Sequence, residues 1–385
     1  MHVQVLRVGE LEPDDLVAWS ALAARAVEPN PFFEPETLVP AARHLQGGSE
    51  FEVAVASEAG RFTALIPLAH STRRPFPYPF LTTKLRRIHE SGAPLLDPEL
   101  GAEGFAAILE HLARRKTLRR ARILFLPALT EEGSSFELLT RAIRLAGMPR
   151  VITDVYERGF FYRRAERGLE DHLSLNMRKN LRRTRRRLAE HVGATPTLED
   201  WSTDASAGER FVELEAAGYK GRAGIAVASR PPEKEYFLES YRSFAEKGRA
   251  RTLALVADDT LLALYIWFSS GPGVFAVKTT YDEAYARFRP GTMLTLAQME
   301  FFSSGTDALW LDSCASRNNQ LLLDLYPDRC RTASLLIPLG RNAFDRAAVR
   351  AYAVAHPLHG WGYDTLHPRT RVARGSGQRA AGSDR

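Results

Sequence analysis

The segment from Val274 to Leu294 constrains the fold of this chain most, because a strand, a tight turn and a helix follow each other directly. Val274–Val277 is a short apolar run typical of a buried strand, and Pro290 and Gly291 stand just before apolar residues at helical spacing. Such a turn leaves backbone N–H groups at the helix start, where the helix dipole attracts anions. The pattern predicts a pyrophosphate-binding turn. An ordinary connection with solvated arginines is the alternative, and the local pattern leaves it open.

The side chains of this turn match the predicted ligand. Guanidinium groups present paired donors whose geometry fits phosphate oxygens, and two arginines occur within three residues. The candidate cofactor-binding residues are Arg287, Arg289, Gly291, Thr292 and Met293.

The composition is that of a water-soluble globular chain, with 45% hydrophobic and 25% charged residues. A length of 385 residues predicts two domains. No run of eighteen apolar residues occurs, so no membrane span is expected. The first residues show no secretory signal pattern, and the only cysteines are Cys314 and Cys330. We therefore expect a cytoplasmic protein without disulfides, and the histidines show no spacing that predicts a metal site.

The positive charge of the chain is concentrated in one segment. Residues 163–187 contain ten Lys or Arg and three acids, a net +7 against +6 for the whole chain. Within residues 178–187 the basic side chains share a predicted amphipathic helix with the apolar Leu173, Met177, Leu181 and Leu188, and no acids at i, i+4 spacing neutralise them. This pattern favours an anionic partner over a solvated face. The candidate anion- or substrate-binding residues are Arg178, Lys179, Arg182, Arg183, Arg186 and, beyond this segment, Lys220.

The order of predicted elements is similar in the two halves of the chain, and each half reads as helices before an antiparallel sheet. The fold class is therefore mixed α/β (α+β). We expect an N-terminal unit over residues 1–165, a C-terminal unit over 166–345 and an extension over 346–385. The tail after about residue 367 is rich in Gly, Ser and Arg and is expected to be disordered.

Two groups of residues carry the predicted chemistry. Glu215 and Tyr219 are spaced to lie one turn apart on a helix that ends in a Gly-rich exit, and the carboxylate there could act as a general base or as a surface acid. At the end of the strand, a carboxylate could accept a proton from an amine and a phenol could donate one. The candidate catalytic residues are Asp282, Glu215, Tyr285, Tyr281 and Lys278. Cys314 has no histidine close in sequence, so a catalytic thiol is not expected.

Several segments together resemble the GNAT acyltransferase superfamily, in particular its CelD-like branch, which is related to the Fem aminoacyltransferases. The resemblance covers roughly residues 10 to 340. The matching segments are NPFF (30–33), GAPLLD (92–97), SLNMRKNLRRTRRRL (174–188), ELEAAGYKGRAG (213–224), LLALYIWF (261–268), KTTYDEAYARFRPGTML (278–294) and LWLDSCAS (309–316).

This resemblance implies two tandem GNAT-like units, each with a mixed, mostly antiparallel sheet flanked by helices. It implies direct transfer of an acyl group, usually from acetyl-CoA as co-substrate and with no tightly bound cofactor, to an amine. The residues 287–292 then occupy the place of the superfamily's pyrophosphate loop, but Gly291 is the only glycine where two are usual. In this scheme Asp282 or Glu215 is the base and Tyr285 or Tyr281 the acid.

Three functions follow from these observations. The first is an acyl-CoA-dependent N-acyltransferase that acts on a small-molecule or glycan-linked amine. The second is a Fem-like transferase that uses aminoacyl-tRNA, in which the arginine-rich helix contacts tRNA phosphates. The third is a non-catalytic, degenerate GNAT unit that binds an acidic partner.

Overall fold

A computed structural model describes residues 1–45, 51–71, 80–83, 90–114, 121, 123–164, 172–317 and 319–340, with single positions between 343 and 351. The predicted loop at 73–80 lies outside these residues apart from Phe80, as does most of the predicted C-terminal extension with its tail.

The first half of the chain contains strands and helices in alternation. Its strands are β1 (His2–Arg7), β2 (Glu52–Glu58), β3 (Arg61–Ser71), β4 (Phe80–Thr82), β5 (Leu95–Leu96), β6 (Ile123–Thr130) and β7 (Val151–Tyr162). Its helices are α1 (Pro13–Arg25), α2 (Pro35–His44), α3 (Gly101–Arg114) and α4 (Ser134–Leu145).

The second half repeats this plan. Its helices are α5 (Leu175–Val192), α6 (Ala207–Ala217), α7 (Tyr219–Arg222), α8 (Pro231–Ala245), α9 (Pro290–Gly305) and α10 (Gln320–Leu325). Its strands are β8 (Thr197–Asp200), β9 (Ala250–Ala257), β10 (Thr260–Ser270), β11 (Gly273–Tyr281), β12 (Trp310–Asp312) and β13 (Asp328–Pro338).

Hairpins joined by two-residue turns occupy equivalent places in the two halves. Ala59 and Gly60 connect β2 to β3 with φ values of 50° and 78°. Two consecutive positive φ values give the turn a twist that matches paired strands, which is why a glycine stands there. In the second half, Asp258 begins the turn between β9 and β10 with φ 49°.

All strands belong to one mixed sheet in which the halves exchange their last strands. The order is β1-β2-β3-β4-β6-β13-β7-β12-β11-β10-β9-β8, and β5 pairs with β3. The strand β13, from the second half, lies between β6 and β7, while β7, from the first half, lies between β13 and β12. The halves are therefore continuous across this join, and the division at residues 165 and 166 stays a prediction.

Helices cover both faces of the sheet in each half. In the first half α3 and α4 bury Phe105, Leu109 and Leu139 on one face, and α1 and α2 bury Trp19, Leu22 and Leu38 on the other. In the second half α6 and α8 form one layer, whereas α5 and α9 form the opposite one. Phe275 and Cys314 of the second half pack into the α1–α2 layer of the first. Within the part of the chain that the structure describes, no helix combines the length and hydrophobicity needed to cross a membrane.

Most predicted elements are present, and the predicted α/β fold class is confirmed. Five strands, β1, β4, β5, β7 and β8, were not predicted. One helix prediction is wrong in detail, because α6 ends at Ala217 and the chain breaks at Gly218 before α7 begins. Glu215 and Tyr219 therefore do not lie one turn apart on a single helix face, and Glu215 is buried whereas Tyr219 is exposed.

Candidate functional site

Two parallel strands of the second half diverge, and we call the space between their ends the cleft. β11 and β12 pair only over Gly273–Phe275 and Trp310–Asp312. Beyond these residues β11 continues along β10 as far as Tyr281, whereas β12 ends at Asp312. In open α/β sheets, ligands bind beyond the carboxyl ends of the strands, where neighbours diverge.

A β-bulge lies at this point of separation. In the ladder between β10 and β11, Lys278 is opposite Ile266 and Ala276 is opposite Trp267, so Val277 has no partner on β10. A bulge frees backbone polar groups from the ladder and redirects the side chains that follow it. The backbone of Val277 can therefore offer a hydrogen bond to a bound carbonyl oxygen, and Lys278 begins the polar end of the strand.

The turn that follows β11 contains a short 3₁₀ helix that leads directly into α9. The carboxylate of Asp282 accepts a hydrogen bond from the N–H of Ala284 at 2.9 Å and starts a short 3₁₀ helix. Arg289 has left-handed backbone angles and precedes α9. Thr292 and Met293 both donate to the carbonyl oxygen of Arg289, at 3.1 and 3.2 Å.

Pro290 has no N–H, and the N–H groups of Thr292 and Met293 already donate to Arg289, so the first turn of α9 offers a ligand the N–H of Gly291. The helix start therefore offers an anion fewer free N–H groups than the sequence predicts.

The two arginines of the turn remain accessible to a phosphate. Arg287 and Arg289 are exposed, and among the described residues neither forms an ion pair with an acid. The guanidinium of Arg287 lies 4.6 Å from the ring centre of Phe288 and 3.3 Å from a ring nitrogen of His191. Gly291 lies against Tyr281, where an added Cβ would be 3.2 Å from the ring. Two unpaired guanidinium groups beside a helix start suit the pyrophosphate of a nucleotide cofactor.

Glu215 and two lysines form a buried cluster at the end of β11. One carboxylate oxygen of Glu215 accepts from Lys220 Nζ at 3.0 Å and from Lys278 Nζ at 3.1 Å, and the other accepts from the N–H of Val227 at 2.8 Å. Lys220 also donates to the carbonyl oxygen of Thr279 at 3.2 Å. This geometry brings the predicted residues Glu215, Lys220 and Lys278 together.

Burial and mutual charge set the protonation of this cluster. Burial alone would raise the pKa of Glu215, but the two ammonium groups and the Val227 N–H outweigh it and hold this pKa below its usual value. The pKa of Lys278 is lowered by burial and by repulsion from Lys220, against the attraction of Glu215. Glu215 is therefore ionised and fully hydrogen-bonded, which makes it a poor proton acceptor.

The two tyrosines lie beside the turn. Burial and the nearby Glu283 raise the pKa of Tyr281, so its phenol stays protonated at neutral pH. The ring of Tyr285 packs edge-on against His191 of α5, with ring centres 6.2 Å apart. Tyr281 and Asp282 follow Lys278 directly on the chain, and the structure thus groups most predicted catalytic residues at one end of β11.

The basic residues of α5 form an exposed face, which we call the α5 basic face: Lys179, Arg182, Arg183, Arg185, Arg186 and Arg187. Arg178 is half-buried, and Leu188 is buried against the core as predicted. The expectation that no i, i+4 acid neutralises this helix is wrong at one position, because Arg186 pairs with Glu190 at 3.5 Å. At its carboxyl end the helix contacts the turn at residues 287–293, which we call the cofactor turn after its predicted role. The contact joins His191 to Arg287.

A buried ion pair was missed by the sequence analysis. Arg158 on β7 pairs with Asp312 at the end of β12, and both side chains are only 2% exposed. Asp312 also accepts from the N–H of Cys314 at 2.8 Å, and Arg158 donates to the carbonyl oxygen of Glu90 at 3.1 Å. The pair thus fixes the end of β12 beside the cleft. The alternating and aromatic pattern of residues 151–162 was the available signal for β7.

Cys314 has left-handed backbone angles and a buried side chain. Burial and the charge of Asp312 raise the pKa of its thiol, which agrees with the expectation of no catalytic thiol. No group of three or more potential metal ligands occurs among the described residues.

The first half has an equivalent strand separation, but the chain itself fills it. β4 and β6 are parallel and pair over Leu81–Thr82 and Leu124–Phe125. Beyond them, the hydroxyl of Thr83 donates to the carbonyl oxygen of Gly92 at 3.0 Å. A Cβ added at Gly92 would lie 2.3 Å from the carbonyl oxygen of Pro127 on β6. The segment around Gly92 therefore occupies the place that remains open in the second half.

The fold and the site can now be compared with known proteins. Residues 176–306, about a third of the chain, match the family model of the acetyltransferase (GNAT) domain. This range includes the cluster, the bulge and the cofactor turn. No curated protein matches the sequence.

Similar solved structures span both halves. The crystal structure of FemX is 10% identical, covers 88% of this chain and 96% of its own, and gives a TM-score of 0.54. A C-terminal domain of a putative lysylphosphatidylglycerol synthetase from Agrobacterium fabrum is 12% identical, covers 90% and 96%, and also gives 0.54. A protein of unknown function from Bacteroides thetaiotaomicron is 10% identical, covers 88% and 100%, and gives 0.56.

Residues 176–306 thus match a GNAT acetyltransferase domain, in agreement with the predicted resemblance, and the chain as a whole shares the fold of the FemX structure. The narrower assignment to the CelD-like branch stays a prediction.

Proposed function

We propose that this protein is an N-acyltransferase that moves an acyl group, acetyl in the simplest case, from CoA to the amine of a small-molecule or glycan-linked acceptor. One observation carries the proposal: β11 diverges from β12 at a bulge at Val277, and this part of β11 lies within the residues that match the GNAT domain. The turn from Arg287 to Met293 would hold the pyrophosphate of CoA, and the thioester would lie in the cleft.

The chemistry asks for little covalent participation by the protein. The amine nitrogen attacks the thioester carbonyl carbon, the carbon–sulfur bond breaks, and the CoA thiol leaves. Proximity of the two substrates and a backbone donor for the carbonyl oxygen supply much of the acceleration. We place that donor at the bulge because its backbone is free of the β10 ladder.

We assign the proton transfers by accessibility. Asp282 is half-buried, and one of its carboxylate oxygens accepts a hydrogen bond from the N–H of Ala284. Its other oxygen can therefore accept the proton from the amine. Tyr281 or Tyr285 would donate a proton to the departing thiolate. Glu215 is better suited to a positioning role than to the role of base, because three donors already occupy its carboxylate.

The first experiment is a calorimetric titration of the full chain with acetyl-CoA at two salt concentrations. We expect saturable binding that survives moderate salt, because a cleft-bound ligand with few phosphates releases few counterions. Asp282→Asn should then lower turnover by about a hundredfold or more with little change in acetyl-CoA affinity. Asp259→Asn, in the exposed turn after β9, is the matched control. No binding at either salt concentration would refute the CoA donor and favour either the aminoacyl-tRNA donor or the non-catalytic alternative.

The α5 basic face supports a second candidate, a transferase that takes its acyl group from aminoacyl-tRNA. Six exposed Lys or Arg side chains on one helix suit a phosphate backbone, and the helix leads to the cofactor turn. RNA binding through this face should weaken by orders of magnitude between about 50 and 200 mM salt. Replacing Arg182, Arg183, Arg185 and Arg186 with Gln should reduce that salt dependence and leave acetyl-CoA binding intact. Unchanged RNA affinity in this variant would exclude the α5 basic face as the RNA site.

A further inference from the structure

The cluster of Glu215, Lys220 and Lys278 carries more positive than negative charge. It contains two ammonium groups and one carboxylate, and the described residues supply no second carboxylate that bonds to either lysine. Glu283, which lies nearby, is already paired with Arg222 and bonded to the N–H of Tyr219. The charge of Glu90 also favours the protonated form of Lys278, with a smaller effect than that of Glu215. The cluster therefore holds an unbalanced positive charge.

The hydrogen bonds of the cluster leave donors available. An ammonium group has three N–H donors. Lys220 uses donors on Glu215 and on the carbonyl oxygen of Thr279, and Lys278 uses one on Glu215. The side chains of Lys220 and Lys278 are 27% and 16% exposed, so part of each is accessible to solvent and to a ligand. Because Glu215 is anchored by the N–H of Val227, the two ammonium groups are held in a fixed arrangement.

The cluster lies close to the proposed reacting centre, where the acceptor would bind. Lys278 directly follows the bulge at Val277, where we place the reacting carbonyl, and Lys220 lies on the short helix α7 that covers this end of β11. The cofactor turn lies on the other side of Tyr281 and already has its own arginines. An anion held by the two lysines would thus be near the reacting centre and separate from the phosphates of CoA.

We propose that Lys220 and Lys278, held by Glu215, bind an anionic group of the acceptor, so that the acceptor is an amine that also carries a carboxylate or a phosphate. The inference rests on the proposed acyl transfer, since it describes the second substrate. A charge-assisted hydrogen bond in a partly buried site is stronger than a neutral one, which makes the anion a determinant of specificity.

Calorimetric titration with matched pairs of amines tests the inference. Glucosamine 6-phosphate and glucosamine differ by a phosphate, and L-lysine and cadaverine differ by a carboxylate. The full chain should bind the anionic member of at least one pair about tenfold more tightly, which corresponds to about 1.4 kcal/mol. The phosphate pair and the carboxylate pair distinguish the two sources of negative charge.

Three variants give the comparison. Lys220→Gln leaves the ion pair of Glu215 with Lys278 and removes the excess charge, so the preference for the anionic member should fall to less than about twofold. Lys220→Arg keeps the charge and should keep most of the preference. Lys234→Gln makes the same charge change on α8 and should behave as wild type. If Lys220→Gln does not fold, Lys278→Gln also brings the cluster to zero net charge and replaces it.

Three results would overturn the inference: equal affinity for both members of both pairs, an equal loss for neutral and anionic amines in Lys220→Gln, or the same loss in Lys234→Gln. The acetyl-CoA titration is an independent test, because the cofactor turn does not include Lys220 or Lys278. Anion preference without acetyl-CoA binding would refute the proposed donor and leave the anion site in place. The reverse result would leave the proposed donor in place and refute the anion site.

Discussion

The buried pair of Arg158 and Asp312 makes a sharp prediction about stability. Asp312→Leu would leave the guanidinium of Arg158 without its carboxylate at a position where both side chains are 2% exposed. It would also remove the acceptor for the N–H of Cys314, which Asp312 binds at 2.8 Å. Arg158 would keep its bond to the carbonyl oxygen of Glu90 at 3.1 Å, which does not neutralise its charge.

The expected loss follows from the cost of an uncompensated buried charge. Removing one partner of a buried ion pair typically lowers the free energy of unfolding by about 3–5 kcal/mol. Replacing both partners with apolar side chains is often neutral, so Arg158→Met combined with Asp312→Leu should recover most of the loss. Arg158→Met alone should cost a similar amount, because it leaves Asp312 buried without its cation. With single losses of at least about 3 kcal/mol each and a double loss of about 1 kcal/mol, the coupling energy in a double-mutant cycle should be about 5 kcal/mol or more.

Urea denaturation of the four proteins measures this coupling. The midpoint of Asp312→Leu should fall with little change in the slope, and that of the double variant should return close to wild type. Arg114→Met, which breaks an exposed pair with Glu110 at 2.7 Å, should change stability by less than about 0.5 kcal/mol. A loss below about 1 kcal/mol for Asp312→Leu, or equal losses in the single and double variants, would contradict the reasoning.

Three further predictions concern the cofactor turn, the number of sites and pH. Gly291→Val should push the ring of Tyr281, 3.2 Å from the added Cβ, and weaken acetyl-CoA binding at least about tenfold. The unfolding midpoint should barely change, as in the control Gly9→Val, and normal affinity would refute the turn assignment. Calorimetry should give one acetyl-CoA per chain, because Gly92 and its neighbours fill the equivalent space in the first half, and a value of two would contradict this. Burial would raise the pKa of Asp97, but the Glu99 N–H and two arginines outweigh it and lower this pKa, so its stabilisation holds above about pH 4 and is lost as pH falls further. Asp97→Asn should remove that part of the acid-induced loss of stability, and an unchanged pH profile would contradict the argument.

Local sequence patterns predicted the features that depend on neighbouring residues. The helix after Pro290 and the turn at Gly60 are present because proline and glycine fix backbone angles without help from distant residues. The α5 basic face was also predictable, since helical periodicity alone separates Leu188 from the arginines.

The remaining features depend on contacts between distant parts of the chain. Arg158 and Asp312 are 154 residues apart, and no local pattern pairs them. The hydrogen-bond partners of Glu215 could not be predicted for a related reason, because its lysine partners come from α7 and from β11. Gly218 is a local signal for the end of α6. The spacing of Glu215 and Tyr219 favoured a helix that continues past it, which the structure does not have.

The exchange of β7 and β13 has a consequence for how the chain is made. During synthesis, β6 and β7 leave the ribosome long before β13, which is the last strand of the described residues and lies between them. Until residues 328–338 emerge, the first half exposes two unpaired strand edges that invite aggregation. Pairing across so many residues is slow, because the entropy of closing the long loop is lost before the strand contacts form. We therefore expect nascent chains that stop before β13 to require chaperones, and complete chains to acquire protease resistance in both halves together.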